Sequence, residues 1–407
     1  MVKLSPQQIQ ELPNILQVLD SLQDIQDNFV DSGGWCGKDP DLFVQAKLLG
    51  LECSYSSYYN SCAPDDFLVS RLASKRFCFK PNLAYVPFLC RGERAEYPSV
   101  ISAFERKDPA DRLISNLKTM DFVRFVRTHP LCRMFDNGIK LKSYPKTFFF
   151  ETNYYGLAQH YNFNTGLIDF SSSKLVAAFF ATTINKGSDI YEPIEDTNMN
   201  PYGVLYVHRI NPRMSFGMFS TIGQQVFPRP GAQLGFFYQE KNSLIDINKI
   251  ITKIYFKHDA ACSRQIFQMM DKGKRLFPKD ELVEVSEIIN KSDKVSLVSF
   301  AENLYANPID TLDKNMALCS SKGITIDSSF AYHFTPEMLK GFFEDIKNNR
   351  WEEFCRPIHF YCKDGEKLKE ELLALPKDEN YQQYFDLRYY ERLFYHSLEL
   401  IKSCPRI

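Results

Sequence analysis

The sequence predicts an α+β protein, with a twisted mixed sheet over about residues 84–290 and helices added at both ends. Two observations carry this. Apolar runs of strand length at 84–90, 167–170, 203–210 and 250–256 are interleaved with segments whose apolar residues recur every three or four positions. From about residue 293 the helical spacing dominates. Three segments are therefore expected: 1–83 helical and mixed, 84–292 α+β, and 293–407 mostly helical.

Composition bounds the rest. A chain of 407 residues has room for two or three domains, and 44% apolar and 14% aromatic residues are ample for sizeable cores. Forty-nine basic against fifty acidic residues leave no broad field, so neither a nucleic-acid nor a membrane-surface signature is present. No apolar run reaches the ~18 residues that span a bilayer, and MVKLSPQQIQEL has no apolar leader. Eleven cysteines without CxxC pairs imply reduced thiols in a cytoplasmic protein. There is no P-loop, GxGxxG or HExxH, and the seven histidines are dispersed, so no metal is expected.

In chain order, Ser5-Pro6-Gln7-Gln8 carries helix-start chemistry, and residues 15–29 form a helix expected to pack through Leu19, Leu22 and Ile25. Gly33-Gly34 ends it. Residues 84–90 read as a strand delivering Arg91-Gly92-Glu93, with Pro87 implying either an edge position or a strand that begins after it. Residues 111–126 are helical. Then 155–182, YGLAQHYNFNTGLIDFSSSKLVAAFFAT, concentrates chemistry: a turn with Gln159, His160 and Tyr161, a strand over 167–170, and three serines opening a helix from Lys174. Hydroxyls there cap the helix or, with its free N–H groups, seat an anion. Residues 185–202 read as a surface loop, 203–210 as a strand with His208 satisfied on its face, and 259–272 as a helix ending at Gly273. A last aromatic helix over 384–401 is expected to bury Tyr389/Tyr390 and Leu393/Phe394.

The 155–182 stretch resembles the FRG domain. Gln159, His160, Tyr161, Thr165, Leu167, Asp169, Ala177, Phe180 and Ala181 match that family's central pattern at unbroken spacing. Asn162, Gly166, Ser171 and Lys174 stand where the family has Gly, Arg, Thr and Pro. Cys90-Arg91-Gly92 keeps two residues of the triplet that names the family. Ala232-Gln233-Leu234-Gly235-Phe236-Phe237 and Leu276-Phe277-Pro278 are similar to its later blocks, so the resemblance covers about 84–290.

The set Arg91, Gln159, His160, Tyr161, Ser171, Ser172 and Gln233 is more distantly similar to the ADP-ribosyltransferase superfamily. That resemblance implies NAD as substrate and an ADP-ribosyltransferase-like sheet core. His160, Gln233 and Tyr161 would be catalytic; Arg91, Gln159, Ser171 and Ser172 would hold the nucleotide, all lining one cleft. Gln233 stands where active transferases usually carry a carboxylate, and the next one, Glu240, lies seven residues on. Arg91 itself reads either as a phosphate grip or as an ion pair with a carboxylate such as Glu93, Glu105 or Asp169. Two functions stay open. One is an NAD-using transferase or glycohydrolase of bacterial defence or toxin type, with a macromolecular acceptor. The other is a non-catalytic module binding a nucleotide or a protein partner through the same cleft.

Overall fold

The computed structural model describes residues 4–32, 34, 63, 65–72, 74–83, 85–187, 189–198, 201–210, 218–239, 245–307, 311–328, 333–360 and 364–403, the last seven by backbone alone. The chain is α+β. Its described residues fall into two compact units, within 1–70, 79–102 and 166–278 for the first and within 71–78, 103–165 and 279–407 for the second.

The first unit is built on a six-stranded sheet. Its strands are β1 (Phe88–Glu93), β2 (Leu167–Ser171), β3 (Tyr202–Arg209), β4 (Phe219–Thr221), β5 (Gly235–Gln239) and β6 (Thr252–Lys257). They lie in the order β6-β3-β1-β2-β5-β4, with every neighbouring pair antiparallel. Parallel pairing occurs between Lys294–Ser296 and Thr325–Asp327 of the second unit. Alternation along each strand sends neighbouring side chains to opposite faces. Phe88, Cys90, Leu205, Val207 and Phe256 join one apolar cluster, while Leu89, Ile168, Phe170, Val204 and Tyr206 join another.

The first cluster is closed by the helices Ile15–Asp31, Lys174–Thr182 and Ala260–Met269. Asn14 and Gln17 form a reciprocal capping box that starts Ile15–Asp31. Ile15, Val18, Leu19 and Leu22 are its buried face; Ile25, expected to pack, is 53% exposed. The apolar stripe persists for a turn beyond the core that it covers. Glycine at 92 has a steric cause: a Cβ there would sit 1.8 Å from the Ala177 carbonyl oxygen and 2.9 Å from Ala181 Cβ. The strand and the Lys174–Thr182 helix touch through residues of the FRG-like pattern. The expected surface loop at 185–202 begins instead as a hairpin, Thr183–Asn185 pairing antiparallel with Tyr191–Pro193.

In the second unit, Asp108 caps the helix Pro109–Val126, whose Leu113 and Leu117 pack with Val295, Phe300 and Cys319. The segment expected to be helical from Val295 starts one strand earlier, with Lys294–Ser296 preceding the helix Leu297–Ala306. In the last helix, Leu387–Ser403, Tyr390 is buried as expected, but Tyr389 and Leu393 face solvent. Among the described residues no helix is long and apolar enough to cross a membrane.

Candidate functional site

β1 and β3 are laddered over their length, from Phe88↔Arg209 to Glu93↔Val204. β1 and β2 share a single register pair, Cys90↔Ser171. Beyond it the two central strands are bridged by a side chain instead. Arg91 Nη1 donates to the Asp169 carbonyl at 3.1 Å and lies 3.7 Å from Asp169 Oδ2. Arg91 Nη2 donates to Glu93 Oε1. Arg91 and Glu93, two apart on one strand, share a sheet face with Tyr206, which is opposite Arg91 in register. Burial alone would lower the Arg91 pKa, but Glu93 and then Asp169 outweigh it and the guanidinium is held above its ordinary value. Burial and the nearby Glu93 push the Tyr206 phenol up to about 12. The cluster of one guanidinium and two carboxylates carries a net negative charge.

Two polar atoms lie next to the Cys90↔Ser171 pair, on opposite sides of it along the strands. Arg91 Nε and Ser172 Oγ are both buried and have no hydrogen-bond partner among the described residues. Ser171 is differently placed: its hydroxyl donates to the Gln233 carbonyl at 2.8 Å and accepts from Ser173 N–H at 2.9 Å. Gln233 is buried, and its amide donates to the Leu276 carbonyl at 3.0 Å. Both groups close backbone valences where β2 ends and the Pro228–Gln233 helix turns back through Leu234, a non-glycine residue at φ 48°. Ser173 caps the Lys174–Thr182 helix. Lys174 Nζ donates to Gln23 and Gln26 of the Ile15–Asp31 helix. Glu240 lies outside the described residues.

Gln159, His160 and Tyr161 belong to the second unit. They end the Tyr154–His160 helix, and Asn162 follows at φ 67°. Gln159 Oε1 accepts from the Thr165 hydroxyl. Tyr161 is fully buried, packs its ring at a tilt against Phe122, and donates to Asp280 Oδ2. Asp280 also caps the helix Glu281–Lys291. Next to it, Glu281 Oε1 lies 3.1 Å from His129 Nε2, and Glu281 Oε2 accepts from Arg350 Nη1 at 2.7 Å. Burial opposes ionisation of Glu281, yet Arg350 and His129 bring its pKa down to about 2. His129 Nδ1 accepts from Leu131 N–H, which leaves the ring proton on Nε2.

Two buried ion pairs carry no signal in the sequence. Arg229, almost wholly buried, pairs with Asp189 at 2.7 Å and donates through Nε to the Pro278 carbonyl. Glu281 with Arg350 is the other. Each joins residues about 40 or 70 positions apart, a separation that leaves no local spacing to read.

Residues 87–189 match the FRG domain. The chain carries an FRG domain over that stretch. No curated protein and no solved structure matches it. The FRG stretch begins at the start of β1 and ends in the 183–193 hairpin, so it holds Arg91, Gly92, the Gln159–Tyr161 turn, Asp169 and the serines. The blocks around Gln233 and Leu276 lie beyond the match. Within the FRG stretch, the contact of Gly92 with Ala177 and Ala181 accounts for three pattern positions by packing alone.

Proposed function

We propose that the first unit binds an NAD-like nucleotide where β1 and β2 part, and that it cleaves or transfers from it. The observation that carries this is the pair of buried, unpartnered polar atoms, Arg91 Nε and Ser172 Oγ, each one residue from the Cys90↔Ser171 pair on adjacent strands. Arg91 Nε offers a hydrogen to a phosphate or ribose oxygen, and Ser172 can donate or accept. Glu93 and Asp169 supply the carboxylates that Gln233 does not. In the reaction proposed, the bond between ribose C1′ and the nicotinamide nitrogen breaks and its electron pair leaves with nicotinamide. Water or a macromolecular acceptor then adds to C1′ and loses a proton. A negative cluster suits the positive charge that develops on the ribose. A defence, toxin or effector role is the biological setting that goes with this chemistry.

A second reading, a binding module without turnover, is favoured by a specific observation. The Ser171 hydroxyl and the Gln233 amide are both engaged by backbone groups. Nicotinamide release from NAD by the full chain, measured beside nucleotide binding, separates the two. Release abolished by Arg91→Ala supports the enzyme; binding without release supports the module. Arg91→Ala is expected to weaken binding by about 1.5–3 kcal/mol, the scale of a charge-assisted hydrogen bond. Unchanged nucleotide affinity in that variant would overturn both readings.

A further inference from the structure

We infer that Glu93 is a specificity gate: an internal carboxylate that occupies Arg91 Nη2 and opposes, by its charge, any phosphate that binds the guanidinium through the open Nε. This rests on the reading that Arg91 holds the nucleotide. The Arg91 Nη2 hydrogen bond is already taken by Glu93 Oε1, and Nη1 by the Asp169 carbonyl, with Asp169 Oδ2 3.7 Å away. Both guanidinium and Glu93 are mostly buried, while Asp169 is half-exposed.

The backbone under this pair cannot yield. Gly92 lies between the two residues, and the Lys174–Thr182 helix presses on it so closely that a single methyl group would overlap the Ala177 carbonyl. β1 is also laddered to β3 through Glu93↔Val204. What can move is the Glu93 side chain, which has three rotatable bonds. A phosphate approaching Arg91 therefore meets one positive charge already matched by two negative ones. Repulsion from Glu93 and Asp169 falls hardest on ligands of high negative charge and least on those that also carry a cationic ring. The gate thus favours a nicotinamide dinucleotide over a nucleoside diphosphate.

The test is ADP and NAD binding to the full chain, by calorimetry, in wild type, Glu93→Gln, Asp169→Asn and Arg91→Ala. Glutamine keeps the shape and a neutral hydrogen bond to Arg91 while removing the charge. Glu93→Gln is expected to bind ADP about tenfold more tightly than wild type, the effect of deleting one like charge a few ångström away in partly screened surroundings. NAD should gain less. Asp169→Asn should shift ADP the same way by a smaller factor, and provides the comparison if Glu93→Gln folds poorly. ADP affinity unchanged or weakened in both variants overturns the gate. Arg91→Ala binding as wild type does would instead overturn the nucleotide reading on which the gate rests. Wild type and Glu93→Gln both failing to bind at millimolar nucleotide would overturn the two together.

Discussion

Replacing Gly92 by alanine adds one methyl group in a place that has no room for it. The built Cβ lies 1.8 Å from Ala177 O, 2.7 Å from Ala177 C and 2.9 Å from Ala181 Cβ. Two of those atoms are helix backbone, held in the ladder of Lys174–Thr182, so no rotamer change relieves the overlap. Gly92 is not among the residues with positive φ, so its glycine is required for space and not for conformation. The usual gain from stiffening the unfolded chain, about 0.4–1 kcal/mol, therefore still applies and offsets part of the cost. Overpacking of this kind costs typically 1–3 kcal/mol, and more where backbone must shift. A net loss of about 2 kcal/mol is expected, or roughly 4–8 °C in Tm for a unit of this size. Urea denaturation of the full chain, followed by circular dichroism, reads it. Gly166→Ala is the matched control: its Cβ meets nothing within 4 Å, and it should be neutral or slightly stabilising. A Gly92→Ala protein as stable as that control would refute the packing account.

Three further outcomes are expected. Glu281, drawn down to about 2 in the fold from an ordinary 4.5, contributes stability that is fully present above about pH 4.5 and lost as pH falls towards 2. The loss is on the order of 3 kcal/mol, and the slope of stability against pH in that window should flatten in Glu281→Gln. Tyr161→Phe removes the donor to Asp280 in a fully buried position and should cost about 1–3 kcal/mol by urea titration. Thiol titration in denaturant without reductant should find eleven free cysteines, and in native protein Cys90, Cys132 and Cys355 should react slowly, since burial raises each thiol pKa.

Local chemistry was legible in the sequence wherever it is local in the fold. The serine cluster placed the start of Lys174–Thr182, and His208 sits on its strand with Nδ1 on the Ile250 carbonyl. Of the two alternatives that Pro87 offers, β1 begins just after it and is an inner strand, so the edge position is not the one adopted. Strand β2 and the helix Pro109–Val126 fall within a residue or two of their expected bounds. Where amphipathic spacing outran the core, as at Ile25 and Leu393, the pattern alone overstated burial. The hairpin at 183–193 was hidden because its turn residues look like those of any exposed loop. At the candidate site the sequence supplied residue types but not their engagements. That Arg91 is paired with Glu93 was weighed there; that Ser171 and Gln233 are tied to backbone depends on how β2, β5 and the Pro228–Gln233 helix meet.

The chain passes from one compact unit to the other at 70/71, 78/79, 102/103, 165/166 and 278/279. During synthesis this ordering has a cost. The first unit includes β6 and Ala260–Met269, so its sheet cannot close until the ribosome has made about two thirds of the chain. The second waits for residues past Lys279 as well. β1, with its apolar Phe88, Leu89 and Cys90, therefore emerges long before β3, its longest-laddered neighbour. A nascent chain in that state exposes an unpaired apolar strand, the kind of segment that chaperones hold. It follows that fragments cut at the ends of the FRG stretch should be poor surrogates for the whole protein: they hold β1 and β2 but never reach β3, the strand to which β1 is laddered over its length.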